Sequence, residues 1–404
     1  MIKNKFGLPE KIIFCKKCVI SNQRPITALE TKHKFENQKK TTNFDKEGIC
    51  DACKWSDYKK KKIDWDAKER ELLELLDKHR SKNGQYDVVV PASGGKDSSY
   101  VAHILKEKYG MNPLTVTWAP HIYTKIGMKN LNSMIDTGFD NILITPNRKI
   151  HRLLTKLAFL NIGHPFQPFI IGQRLVGPRV AIEKNIKLVF YGENVAEYGN
   201  PISDNQSPLM DIDLITAFDV TNTENYLSGI KIRELNEIHK ISLNELKIYS
   251  SPSHEEIKKL GLEVHYMSYY KYWSPQENFY YASKNANFEV APERTPGTYS
   301  KYSGLDDKLE CFHFYMMMIK FGMGRATWDA AQEIRDGKIS RKEGVILVNK
   351  YDTEFPDRYF QNFLDYISID KNLFYQTLDK FRSENLWKKT SNSWELKKPV
   401  YDFE

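Results

Sequence analysis

Six consecutive residues, Ser93-Gly94-Gly95-Lys96-Asp97-Ser98, combine two glycines with hydroxyls, an ammonium and a carboxylate. That mixture suits an anionic ligand. Glycines let a backbone turn closely around a ligand, and the N–H groups of Gly94 and Gly95, the Ser93 and Ser98 hydroxyls and the Lys96 ammonium can then converge on a phosphate. A second set lies near the front of the chain, Cys15-Lys16-Lys17-Cys18 and Cys50-Asp51-Ala52-Cys53. Two C-x-x-C pairs supply four thiolates, enough to close a tetrahedral structural zinc site, with iron–sulfur and unmetallated cysteines as the alternatives. A third set, Gly192-Glu193-Asn194, places a carboxylate where it can hold Mg2+ on a triphosphate, against the plainer reading that Glu193 and Asn194 cap the next turn.

Elements must bring these residues together. Residues 87–91 form a short apolar run that reads as a buried strand, and residues 98–109 read as a helix with Asp97 at its N-cap, so the glycine loop would sit on a helix N-terminus. Strands follow at 113–120, 140–146, 186–191 and 262–270. Helices alternate with them at 125–137, 148–160 and 168–185, the last weakened by Gly172, Gly177 and Pro178. Regular alternation predicts a parallel sheet with helices on both faces, whose ligands bind at the carboxyl ends of the strands. Thr117 and Trp118 would therefore join the glycine loop and Gly192, Glu193 and Asn194 around one crevice.

The remaining segments are less regular. Residues 201–260 are polar and read as an insertion or substrate lid with a helix near 226–247. Tyr269, Tyr270, Tyr272, Trp273, Tyr280 and Tyr281 read as core or interface, Cys311 as core, and the last hundred residues as helical. The expected division is 1–62, a zinc-ribbon-like unit whose linker 21–42 loops over the surface; 63–290, the α/β unit; and 291–404, the helical unit.

Composition bounds the function. A chain of 404 residues that is 41% hydrophobic exceeds one ordinary core. Residues 1–14 carry Lys3, Lys5 and Lys11 without a continuous apolar stretch, and no segment reaches membrane-spanning length, so a cytoplasmic home with reduced thiols and no membrane contact is expected. The excess of 60 basic over 52 acidic side chains permits an RNA or an anionic sugar partner and selects neither. Four lysines at 59–62 read as a solvated helix face.

The glycine loop lacks the glycine spacing of a Walker A motif. It resembles instead the PP-loop of pyrophosphate-releasing ATPases, which bind ATP there and transfer AMP to a substrate oxygen. Further strings add to this. The cysteine pairs with Arg24-Pro25, Gly192-Glu193-Asn194 with Glu197-Tyr198-Gly199, Tyr269-Tyr270 with Trp273, Ser303-Gly304-Leu305-Asp306-Asp307-Lys308, and Lys320-Phe321-Gly322-Met323-Gly324-Arg325-Ala326-Thr327 together resemble the N-acetyl sugar amidotransferases of bacterial surface-sugar pathways.

The resemblance implies a PP-loop ATPase fold, adenine nucleotide alpha hydrolase-like, with an N-terminal zinc ribbon and a helical C-terminal region. It implies that an N-acetyl group of a sugar or nucleotide sugar, of the pseudaminic or legionaminic acid kind in lipopolysaccharide O-antigen, becomes acetamidino. ATP, Mg2+ and structural Zn2+ are the implied cofactors. Lys96, Asp97 and Glu193 would be catalytic; Ser93, Gly94, Gly95, Ser98, Thr117, Trp118, Gly192 and Asn194 would bind ATP; Tyr198, Asp306, Asp307, Lys308 and Arg325 would face the substrate. Ammonia would come from a separate HisH-like glutaminase, with or without a HisF-like channelling subunit, in keeping with the lack of a recognisable glutaminase Cys–His pair in this sequence. The rival reading is a tRNA-modifying PP-loop enzyme, a thiolase or a lysidine-forming ligase. Against a thiolase, only Cys311 remains once four cysteines hold metal.

Overall fold

Val88, Val89 and Val90 can be a strand only if both faces are covered. In the computed structural model, which describes residues 6–26, 39–201, 203, 207–391 and 393–401, Val88 and Val90 point into one apolar layer and Val89 into another. These residues form β1 (Val88–Pro91) at the centre of a five-stranded, wholly parallel sheet. Its partners are β2 (Pro113–Trp118), β3 (Asp140–Ile144), β4 (Leu188–Tyr191) and β5 (Glu263–Tyr266). The spatial order is β3-β2-β1-β4-β5, so the winding reverses between β1 and β4. Such a reversal opens a crevice at the carboxyl ends of those two strands.

Helices cover both faces. The N-terminal four-cysteine region ends in α1 (Asp51–Lys61), followed by α2 (Trp65–His79), which starts where Asp64 accepts hydrogen bonds from the Asp66 and Ala67 N–H groups. The sheet crossovers are α3 (Lys96–His103), α4 (Lys125–Asp136), α5 (Arg148–Ile162) and α6 (Gln167–Glu183). Beyond β5 come α7 (Pro275–Asn285), α8 (Glu310–Phe321), α9 (Arg325–Asp336) and α10 (Arg341–Tyr351). Among the described residues no helix is long and apolar enough to cross a membrane.

Several expectations need correction. Helix α3 begins at Lys96 with extended Gly95 as its N-cap, so Asp97 lies in the first turn and does not cap it. Helix α6 is unbroken despite Pro178. The missing proline N–H would have bonded the Arg174 carbonyl four residues back, and the Tyr191 hydroxyl donates to that carbonyl at 2.6 Å instead. Gly172 is there for contact: a Cβ would come within 2.1 Å of the Trp118 ring. The fifth strand stops at Tyr266, and Met267–Tyr270 is a helical turn. Within 226–247 a hairpin of Tyr226–Leu227 and Ile230–Lys231 precedes two short helices, Ile232–Glu237 and Leu243–Leu246. Ile215, Phe218, Val220, Leu227 and Leu235 of this segment are buried in the main core.

The lysine run is divided. Lys59 is 1% exposed and its ammonium meets Glu197 at 2.7 Å, while Lys61 and Lys62 face solvent. The linker expected on the surface has buried ends, Ser21, Gln23, Arg24 and Thr42; its middle, 27–38, lies outside the described residues. The C-terminal region is helical through Phe381 and then forms a hairpin of Trp387–Lys389 with Trp394–Leu396. Cys311, Tyr270 and Trp273 are buried in the core.

Candidate active site and metal centre

The four cysteines converge. Cys15, Cys18, Cys50 and Cys53 are all fully buried, and their sulfur atoms lie within 4.8 Å of one another. The Cys15–Cys53 and Cys18–Cys50 sulfur distances are 3.8 and 3.7 Å. A tetrahedron with metal–sulfur bonds of about 2.3 Å has edges of about 3.8 Å, so the set fits one tetrahedral ion. Backbone N–H groups of Lys17, Cys18 and Cys50 approach the Cys15 sulfur at 3.4 to 3.5 Å, and Cys50 stands at the N-cap of α1, whose dipole favours a thiolate. From α10, the Arg341 guanidinium donates to the Cys15 and Cys18 carbonyls at 3.4 and 3.2 Å.

The same helix α1 reaches the crevice. Its Trp55 indole donates to Glu197 at 2.8 Å, and Lys59 donates to the other Glu197 oxygen at 2.7 Å and to the Trp273 carbonyl at 2.8 Å. Glu197 belongs to the turn that follows β4 and carries Glu193, Asn194 and Tyr198. Cysteine cluster and crevice are thus joined by one helix.

The glycine loop occupies the turn from β1 into α3. Gly94 has φ +79°, and a Cβ there would lie 2.4 Å from the Leu131 backbone nitrogen, so only glycine fits against α4. Above the loop is a cavity of about 420 Å³ lined by Ser93, Gly95, Asp97 and Ser98, by Gly192, Glu193 and Tyr198, and by the apolar Val116, Trp118, Phe169 and Met210. The Trp118 indole N–H is buried without a partner. Polar groups at one end and flat apolar walls at the other suit a nucleotide. Burial raises the Glu193 pKa, and the negative charge of Asp97 adds to it. A divalent cation held by Asp97 and Glu193 would remove that repulsion.

A second cavity, about 240 Å³, adjoins the first and shares Asp97 and Tyr198 with it. Lys96, Trp273, Gln276, Tyr302, Arg325, Trp328 and Asp336 also line it. Three of its polar atoms are buried without hydrogen-bond partners: the Trp328 indole nitrogen, Gln276 Oε1 and Asp336 Oδ1. One donor and two acceptors left open beside aromatic rings suit a ligand carrying hydroxyl and amide groups.

The sequence-predicted residues fall into two groups. Ser93, Gly95, Asp97, Ser98, Trp118, Gly192, Glu193, Tyr198, Lys96 and Arg325 line one or both cavities. Lys96 faces the smaller cavity, its ammonium paired with Asp97, whose other oxygen accepts from Asn278 at 2.9 Å. Tyr198 hydrogen-bonds Glu193. Arg325 stacks over Phe314 at 4.6 Å and binds Asp329 at 3.2 Å and Glu310 at 3.5 Å, so its guanidinium is already engaged by carboxylates. Asp306 reaches Ser93 of the loop, and burial raises its pKa.

The others hold the scaffold. The Thr117 hydroxyl donates to the Ala92 carbonyl at 2.6 Å, beneath the loop. Asn194 caps the next turn through the Ala196 N–H at 3.2 Å, the plainer of its two readings. Asp307 is 4% exposed and accepts from the His121 and Leu309 N–H groups at 2.7 and 2.9 Å. Lys308 gives its backbone N–H to the Ile122 carbonyl at 3.0 Å, completing a clasp between the exit of β2 and the C-terminal region.

Sequence reasoning missed Gln276, Trp328, Asp336 and Arg174. Trp328, Gln332 and Asp336 recur at four-residue spacing in α9 and share one face, a pattern normally assigned to solvent.

Residues 296–401 match the family described as "LPS biosynthesis protein WbpG-like, C-terminal domain". The curated "Uncharacterized protein MJ1599" of Methanocaldococcus jannaschii is 33% identical over 78 residues, which is 19% of this chain; the match spans only 27% of that relative's length. Among solved structures, the U34-tRNA thiolase NcsA from Methanococcus maripaludis with its [4Fe-4S] cluster is 14% identical at a TM-score of 0.29, over 77% of this chain and 88% of that one. The NH3-dependent NAD synthetase from Campylobacter jejuni subsp. jejuni NCTC 11168, in complex with the nitrate ion, is 17% identical at a TM-score of 0.27, over 57% of this chain and 99% of that one.

Proposed function

We propose that this chain, whose residues 296–401 match a WbpG-like lipopolysaccharide-biosynthesis domain, is an AMP-forming amidotransferase that converts an N-acetyl group of a bacterial surface sugar to an acetamidino group. The observation that carries this reading is the sharing of Asp97 and Tyr198 between a nucleotide-shaped crevice and a smaller cavity with open donors and acceptors. An amide held in the smaller cavity would lie beside a phosphate bound at the glycine loop.

An amide oxygen is a poor leaving group and must first be activated. The oxygen attacks the α-phosphorus of ATP, a P–O bond forms, and the bond to the β-phosphate oxygen breaks with its electron pair leaving on pyrophosphate. Ammonia then adds to the imidate carbon, AMP departs with the C–O electron pair, and an amidinium remains. Positioning and charge stabilisation supply the rate, and no side-chain nucleophile is needed. Gly94, Gly95 and the N-terminus of α3 would hold phosphate oxygens, Lys96 would face the developing negative charge from the acceptor side, and Trp328, Gln276 and Asp336 would orient the sugar. Asp97 and Glu193 would hold Mg2+, which neutralises phosphate charge when bound. The four thiolates would hold Zn2+ in a structural role. Ammonia would be delivered by a separate glutaminase subunit, and the reaction would take place in the cytoplasm.

Mass-spectrometric turnover tests this. Purified protein with Mg-ATP and ammonium is offered di-N-acetylated bacterial sugars and, separately, bulk tRNA. The expected product is lighter than the sugar by about one mass unit, through exchange of oxygen for NH, with one AMP formed per product. AMP formed only with tRNA would overturn the sugar assignment and favour a tRNA-modifying enzyme.

A further inference from the structure

Among its described lining residues the nucleotide crevice holds two carboxylates, Asp97 and Glu193, and one cationic side chain, Arg174 of α6. Lys96, the cation of the glycine loop, is turned to the smaller cavity. Among the described residues, Arg174 is thus the cation that lines the crevice itself, and sequence reasoning did not find it.

Arg174 is poised without a partner. Its Nη1 is buried with no hydrogen bond. Burial lowers its pKa, and the groups opposing that fall are the phenols of Tyr266 and Tyr191, with no carboxylate among them. A guanidinium desolvated without a counter-charge is costly, and an anionic ligand would offset that cost. The side chain is also well placed to be rigid. Its own carbonyl is the one released by Pro178 and held by Tyr191, and α6 is pressed onto the sheet where Gly172 meets Trp118 and Gly177 meets Pro91.

We propose that Arg174 binds the β- and γ-phosphates of ATP and stabilises the pyrophosphate as it leaves. The proposal rests on the ATP-dependent reading above. When the bond between the α-phosphorus and the bridging oxygen breaks, the electron pair stays on pyrophosphate, and a fork of N–H groups fixed in advance at that position lowers the barrier. A competing source of anion exists, because Arg174 also borders a third cavity of about 420 Å³ that Lys39, Lys40 and Lys320 help to line and that adjoins the smaller cavity at His313 and Trp328. An anionic substituent of the acceptor sugar could reach the same guanidinium from that side.

Calorimetric titration of the full chain with Mg-ATP, AMP and inorganic pyrophosphate separates the cases, using the native chain, Arg174→Met and Arg174→Lys. In Arg174→Met, ATP and pyrophosphate should bind about 10- to 100-fold more weakly while AMP changes by less than about threefold, with Arg174→Lys intermediate. Equal weakening of all three ligands would assign Arg174 a structural role and overturn the proposal. Unchanged ATP and pyrophosphate with weakened binding of N-acetylneuraminate or UDP-N-acetylglucosamine would overturn it in favour of the acceptor's anion. A native chain that binds neither ATP nor pyrophosphate would sink the ATP reading itself. The expected pattern obtained without turnover of any sugar would uphold Arg174 and refute only the choice of acceptor.

Discussion

The cysteine cluster and the glycine-loop crevice are built on opposite plans. At the cysteines, four buried sulfurs face one another, backbone N–H groups point at Cys15, and Arg341 covers the carbonyls. The crevice and its neighbour instead leave Trp118, Arg174, Gln276, Trp328 and Asp336 with buried polar atoms that no described residue satisfies. A native interior leaves few such atoms, so those that line the two cavities mark places where a ligand would supply the missing partner. The cysteine cluster turns its polar groups on itself, and the crevice turns its own toward a cavity.

The contrast breaks most readily at the metal. Cys50→Ser, or removal of metal by a strong chelator, should cost several kcal/mol and lower the melting temperature sharply, because folding is coupled to metal binding at such sites. Metal analysis by mass spectrometry should find one ion per chain in the native protein and none in the variant. Unchanged melting with full metal loss would mean that the four thiolates carry no structural load.

Breaking the link between the two regions should cost somewhat less. Lys59→Met removes the ammonium that pairs with the buried Glu197 carboxylate and leaves it the Trp55 indole and the more distant Arg335 charge, a loss of about 3 to 5 kcal/mol in urea unfolding. Because Glu197 lies in the turn that carries Glu193 and Tyr198, ATP affinity should fall as well. Stability lost with ATP affinity intact would cut the crevice loose from α1.

Changing the crevice itself should do the reverse. Lys96→Ala should slow pyrophosphate release about 100- to 1,000-fold while the melting temperature moves little. Normal turnover in that variant would remove the glycine loop from the mechanism.

A further effect is titration behind Arg325. Burial pushes the Glu310 carboxyl up to about 8, against the opposing pull of Arg325. The folded chain then keeps a proton that the unfolded chain gives up near 4.5, so this contribution is complete below about 4.5 and is lost as pH rises through about 8. Glu310→Gln should flatten the dependence of the urea midpoint on pH across that window. An unaltered slope would contradict the shift.

What could be read from the sequence was what is local. The glycine loop and the C-x-x-C pairs are short strings whose chemistry depends on neighbours in sequence, and strand–helix alternation fixes a parallel sheet. Lys59 was misread because its partner Glu197 is 138 residues away, and a run of lysines looks alike from outside. Arg174 was missed because it sits within Gln167–Glu183, an apolar helix containing Gly172, Gly177 and Pro178, where attention goes to the breakers. Asp306 and Asp307 are adjacent in sequence, yet one reaches the loop serine and the other clamps backbone N–H groups, and residue type alone cannot divide them.

The long sequence separations around the cysteines have a consequence for how the molecule is made. Cys53 is complete long before the sheet exists, so an ion can be captured while most of the chain has yet to be synthesised. Lys59 must then wait for Glu197, 138 residues later, and the Arg341 strap over Cys15 arrives 326 residues after that cysteine. Until then the cysteine knuckle is an unsealed unit. A chain that stops before Glu197 would leave Lys59 unpaired and the Cys15 and Cys18 carbonyls uncovered, and one that stops between Glu197 and α10 would still leave those carbonyls open.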